Sequence, residues 1–112
     1  MDKIYLNIVE EFSNTPGTRD SIESDYPGEE FLNKILLPKF QEAIDKKVKL
    51  VVNLDGPAGY ATSFLEAAFG GLVRHYNDIE RVKKTIEFIG TDDPFLIEDI
   101  HEYMRNALKT ER

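Results

Sequence analysis

Cysteine is absent from the 112 residues, and with it go disulfide frameworks, thiolate zinc sites and thiol nucleophiles. A chain this short, with room for one hydrophobic core, must then hold itself together by packing. Long apolar runs are missing too: nowhere do about 18 such residues follow one another, as a membrane-spanning helix requires. The opening MDKIYLNIVEEF alternates and carries acid early, so it lacks the basic start and apolar centre of a secretion signal. Histidine is confined to His75 and His101. A serine nucleophile needs a general base within hydrogen-bond reach, and His75 lies far along its helix from Ser63, so hydrolase chemistry is not expected. Positive charge is in deficit. The formal net charge of -7 repels phosphate backbones and anionic membranes, so neither nucleic acid nor membrane is an expected partner, and the cytoplasm is the expected location.

What is present reads as one α/β domain, because a hydrophobic fraction of 41% is enough to offset the entropy of ordering a core. Ile4, Leu6 and Ile8 alternate with Tyr5 and Asn7, the period of a half-buried strand over residues 3 to 9. Residues 10 to 28 then collect Ser13, Asn14, Pro16, Gly17, Ser21, Pro27 and Gly28 and read as a long loop. From Glu29, the apolar residues Phe31, Leu32, Ile35, Leu36, Phe40, Ala43 and Ile44 recur at helical steps, with Pro38 expected to kink or split that helix. Lys46, Lys47 and Lys49 read as a solvated turn rather than as a functional basic patch. Val48 to Leu54 is a nearly continuous aliphatic run, as in a central strand covered on both faces. A helix over residues 63 to 76, a strand over residues 85 to 89, and a last helix capped by Asp93-Pro94 and burying Ile97, Ile100, Met104 and Leu108 complete the pattern. Strand and helix alternate, which predicts an α/β layer fold whose middle strands are parallel.

Three places offer chemistry. Glu98-x-x-His101, with Glu102 beside it, has the spacing of half a carboxylate–histidine metal site, but a second such motif is missing and an exposed mixed-charge face explains it better; no metal and no cofactor are expected. Asp55 ends the central strand, where ligands gather in parallel sheets, although a turn aspartate ahead of Gly56 reads equally well. The helix start Ala61-Thr62-Ser63-Phe64-Leu65-Glu66 is the most informative. Ser63-x-x-Glu66 has the spacing of a capping box, which leaves Thr62 outside the cap with its hydroxyl in solvent. A phosphate there would meet free N–H groups and the positive end of the helix dipole, with Asp55 and Glu66 opposing it. Gly70-Gly71 inside this helix costs about 2 kcal/mol against alanine, for which close packing on the sheet is the expected compensation.

The run LDGPAGYATSFLEAAFGGLVR, together with Pro16-Gly17-x-Arg19, Gly28-Glu29-Glu30-Phe31 and Leu36-x-Pro38, resembles the bacterial STAS-like domains of unknown function up to about residue 90. Ala67 stands where a second glutamate is common in that family, and Pro27 where a serine often is. The resemblance implies a STAS-like mixed sheet of about four strands with helices packed on it. STAS domains proper, such as anti-sigma factor antagonists, place a phosphorylatable Ser or Thr at the start of the helix after a central strand; Thr62 is the closer match and Ser63 the next, although Ala61-Thr62-Ser63-Phe64 replaces the usual Asp-Ser-Ser-Gly. In that larger family the partner is a serine kinase with the histidine-kinase-type ATPase fold, and phosphorylation breaks the complex.

Two functional expectations follow. The first is a non-enzymatic regulatory module whose surface around Gly59, Tyr60, Thr62, Ser63, Phe64 and Glu66 docks a protein, with Tyr60 as an aromatic anchor. The second is an anion- or nucleotide-binding or enzymatic site formed by Asp55, Arg19 and Arg74 beyond the strand ends. Association with a second copy stays open.

Overall fold

Leu50, Val51 and Val52 are all buried, and they occupy the middle of the central strand in a computed structural model that describes residues 3–12, 27–55, 60–91 and 93–108. That strand, β2 (Lys49–Asn53), lies between β1 (Lys3–Asn7) and β3 (Ile86–Ile89). Both pairings are parallel, with Leu6 opposite Val52 and Val52 opposite Phe88. The sheet is therefore parallel throughout its described strands, where a mixed sheet of about four had been expected. Among the described residues there are three. Parallel pairing follows from the alternation of the sequence, because each return to the same edge direction needs a helical crossover.

Side chains alternate across a strand, which sorts the sheet into two unlike faces. Leu6, Leu50, Val52 and Ile86 are buried on one of them, and Phe88 shares that face. A sheet built in the order 1-2-3 by crossovers of one hand carries its helices on one side, and that apolar face receives them. On the other face Tyr5 is 64% exposed, whereas Val51 is 4% exposed. Val51 lies between Tyr5 and Glu87 in register, and Lys3 of β1 pairs with Glu87 of β3 at 3.0 Å, an ion pair that reaches across the central strand.

The first strand ends earlier than its alternation suggested. Asn7 turns the chain into α1 (Ile8–Glu11), its side-chain oxygen accepting from the Glu10 N–H at 3.2 Å, so Ile8 is buried from a helical turn. The first long crossover helix is not split at Pro38: residues 27–46 stay helical without a break. It runs as α2 (Pro27–Phe31), a π-helical turn (Leu32–Leu36) and α3 (Leu37–Lys46). The π turn, closed by the Leu37 N–H donating to the Leu32 carbonyl, absorbs an extra residue immediately before Pro38, where the proline ring would otherwise meet the carbonyl of the preceding turn. The second crossover is likewise α4 (Thr62–Leu65), a π turn (Glu66–Gly70) and α5 (Gly71–Tyr76). A further helix, α6 (Ile79–Thr85), was not expected; Asp78 caps it by accepting from the Arg81 N–H at 3.1 Å.

The two π turns sit where the crossover helices pack on each other. A Cβ on Gly28 would lie 2.7 Å from Ala67 Cβ and 2.8 Å from the Phe64 carbonyl oxygen, and one on Gly71 would lie 2.7 Å from Leu32 Cδ2. Close packing does accompany the glycine pair, but for Gly71 the neighbour is the other helix and not the sheet. Beneath this crossing lies a chain of rings: Phe31 meets Phe12 at 5.3 Å and Phe64 at 5.5 Å between centroids, and Phe69 meets Phe88 at 5.3 Å. The last helix, α7 (Pro94–Ala107), starts at Asp93 as expected and buries Ile100, Met104 and Ala107, with Ile97 and Leu108 half-buried at its margin.

Two helix starts yield opposite expectations. The Asp93 carboxylate accepts from the Phe95 N–H at 3.1 Å, so Asp93→Ala should lower unfolding free energy by about 1 kcal/mol. At the start of α4 the N-cap is Ala61, which offers no side-chain acceptor, and Ser63 lies inside the helix. Ser63→Ala should therefore change stability by less than about 0.5 kcal/mol. Urea unfolding of the two variants side by side checks both.

Candidate functional site

The carboxyl end of β2 leads into the site. Leu54 extends the pairing by one residue, its N–H donating to the Ile89 carbonyl at 2.7 Å, and Asp55 N–H donates to the Asn53 side chain at 2.9 Å. The chain returns at Tyr60, whose hydroxyl donates to the Leu54 carbonyl at 2.7 Å. That bond ties the neck of the loop shut, so the start of α4 is held at a fixed distance from the strand end. Asp55 also accepts from the Thr91 hydroxyl at 2.7 Å, which joins the neck to the segment after β3. Gly59 and Arg19 lie outside the described residues.

Burial fixes the phase of α4. Phe64 and Leu65 are buried at its first turn, and with those two side chains turned into the core, Thr62 and Ser63 are left exposed. Thr62 is exposed as expected, but as the first residue of the helix and not outside a cap at Ser63. Two other expectations need correction. Phe64 is 1% exposed and packs on Phe31 and Tyr60, so it supports the surface from below and is not part of it. Tyr60 is half-buried with its hydroxyl committed to Leu54, so its role is to close the neck more than to anchor a partner.

The capping box is also absent. Glu66 does not reach back to the helix start; it accepts from Arg74 Nη1 at 2.8 Å and from Nη2 at 3.4 Å. This pair spans two turns of helix, and Gly70 between them makes it feasible, since a Cβ there would lie 2.8 Å from Glu66 Oε2 and 3.4 Å from Arg74 Nη1. Sequence reasoning read the glycine pair as helix packing and missed that one of the two clears a path for an ion pair. Thr62, Glu66 and Gly70 follow at four-residue steps and share one face. Arg74 therefore belongs with Glu66, whereas Asp55 belongs with Thr91, so the expected convergence of Asp55 and Arg74 is not formed.

Neither histidine joins this face. His75 is exposed and turns its ring toward Tyr76 at 4.9 Å. His101 stands edge-on to Phe88 at 5.7 Å, and burial there, reinforced by the Lys83 and Arg105 charges, lowers its pKa below the usual imidazole value. Among the described residues no group of three His, Asp or Glu side chains is placed to hold a metal ion, and no helix is long and apolar enough to cross a membrane.

A hydroxyl-bearing helix start directly after the central strand of a parallel sheet is the arrangement that the resemblance implied. The family model of the STAS-like domain of unknown function, DUF4325, matches residues 27–95, more than half of the chain. The chain belongs to this STAS-like family. Its matched segment takes in both crossover helices, β2, β3 and the whole Thr62–Arg74 face of the STAS-like domain. No curated protein and no solved structure matches the chain.

Proposed function

We propose that this STAS-like domain is a non-enzymatic regulatory module that docks a protein on the exposed start of α4, and that a phosphate on Thr62 or Ser63 releases the partner. The observation that carries this reading is the pair of exposed hydroxyls on a helix start that is held rigidly and left without a side-chain cap. Buried Phe64 and Leu65 keep the backbone of that turn in place, so a modification changes the surface without unfolding its support. A phosphate adds about -1.5 to -2 charges and three strong acceptors. Placed here it gains the first-turn N–H groups and the helix dipole, with the Glu66 carboxylate one turn further on as the opposing charge. The outcome is a change of sign and shape on the docking face, which is what a partner would read.

The partner that suits this switch is a serine kinase with the histidine-kinase-type ATPase fold, because one protein then both binds the face and modifies it. The test is direct. The domain is incubated with such a kinase from the same host and ATP, and the phosphate is mapped by tandem mass spectrometry. Incorporation confined to Thr62 or Ser63, and absent from the Thr62→Ala/Ser63→Ala double variant, is the expected result. Phosphate on other residues with none on these two would dismiss the switch.

A further inference from the structure

At the opposite end of the sheet from Thr62, the amino ends of the three strands form a bowl with a volume of about 880 Å³. Its floor is apolar: Ala43 is buried and Ile44 and Val48 are half-buried. Its rim carries Lys47, Lys49, Arg81 and Lys84, against Asp78 and Glu80. Lys3 and Glu87 also reach the bowl but neutralise each other at 3.0 Å. Asp78 is partly engaged in capping α6. None of the four rim cations forms an ion pair among the described residues. A chain with a net charge of -7 thus gathers unpaired positive charge at one concave place, where mutual repulsion among the cations opposes it. Lys47 adds a second cost. It ends α3 in a left-handed conformation with φ 60, a position where glycine is least strained.

We infer that this bowl binds a small phosphorylated molecule carrying a planar or apolar group, the phosphates on the Lys47–Lys49–Arg81–Lys84 rim and the apolar part on the half-buried Ile44 and Val48. Several lysines on a rim suit phosphate because each acts as a compact point charge with rotatable donors. A floor of aliphatic side chains asks for more than a bare anion, and the volume is that of a pocket for a drug-sized ligand. Lys47 and Lys49, which in the sequence alone look like part of a solvated turn, become half of a site once α6 brings Arg81 and Lys84 beside them, while Lys46 pairs with Glu42 at 2.9 Å.

The experiment uses two probes on the intact chain, ADP and pyrophosphate, followed by amide NMR shifts and calorimetry. ADP is expected to shift the amides of residues 43–49 and 80–85, and to bind about tenfold tighter than pyrophosphate because the floor adds burial. Lys47→Gly and Lys84→Gln should each weaken ADP about fivefold or more, while Lys47→Gly leaves the melting temperature unchanged or higher because its backbone relaxes. That combination separates a lost ligand contact from a damaged fold. Pyrophosphate binding as tightly as ADP would overturn the role of the floor. Shifts elsewhere on the chain, no saturation by about 5 mM, or unchanged affinity in both variants would overturn the site.

Discussion

Phe31→Ala should lower the unfolding free energy by about 3–5 kcal/mol, measured by chemical denaturation. Phe31 is 0% exposed and is the ring through which the aromatic chain passes, touching Phe12, Phe64 and Phe69 at 5.3, 5.5 and 6.4 Å. Truncation removes its apolar surface from the core and leaves a cavity at the helix crossing, and the neighbours cannot close it because each is fixed by another contact. Phe64 is one of those neighbours, so the loss should also loosen the first turn of α4 and raise amide exchange at Thr62 and Ser63. A loss below about 1 kcal/mol would mean that the crossing can collapse onto the gap, in which case the rigidity assigned to the helix start has a different source.

The second large effect is steric. Gly28→Val is expected to cost about 3 kcal/mol, because a Cβ at this position would lie 2.8 Å from the Phe64 carbonyl oxygen and 3.2 Å from Phe64 Cα as well as against Ala67. Those are backbone atoms, which yield only if the two crossover helices move apart. Gly71→Ala is the informative comparison. Its obstacle at 2.7 Å is the Leu32 Cδ2 methyl, the end of a flexible side chain, and alanine gains about 1 kcal/mol of helix propensity over glycine, so the net change should be near zero. Thermal melts that rank the two variants in the opposite order would show that Leu32, not the backbone at Phe64, is the rigid partner in the crossing.

Much of this architecture was readable from residue pattern alone. The aliphatic run through Leu50 and Val52 announces a buried strand, the period of residues 64 to 76 announces a helix, and Asp93-Pro94 marks a helix start that the structure reproduces. The failures share a cause: a local pattern was read without its tertiary competitor. Ile8 alternates like a strand residue, yet Asn7 caps a helical turn there. Ser63-x-x-Glu66 has the spacing of a cap, yet the helix starts two residues earlier, with Ala61 at the N-cap, and Arg74 claims Glu66. The α6 helix presents only Ile79 and Val82 to the core, too few for a period to show, although Asp78 is a cap residue that could have revealed it. Neither π turn has a composition signal. Thr62 was expected to be exposed because of a capping box that is not formed, and its exposure goes instead with the burial of Phe64 and Leu65; Gly70 was misjudged because its reason, the passage of an ion pair, depends on a partner eight residues away from Glu66.

Three of the expected members of the site serve it indirectly. Phe64 supports the turn from the core, Tyr60 closes the loop neck, and Glu66 holds Arg74 in place. What remains fully exposed at the helix start is Thr62 and Ser63, and these are the two residues on which the proposed switch rests.

The affinity of the purified domain for a histidine-kinase-type ATPase of its host, wild type against Thr62→Glu, tests that claim most directly. The account predicts binding by the wild type and a loss of about tenfold or more in the variant, with superimposable thermal melts, since the side chain at residue 62 is exposed and caps nothing. Equal affinities for the two proteins would contradict it.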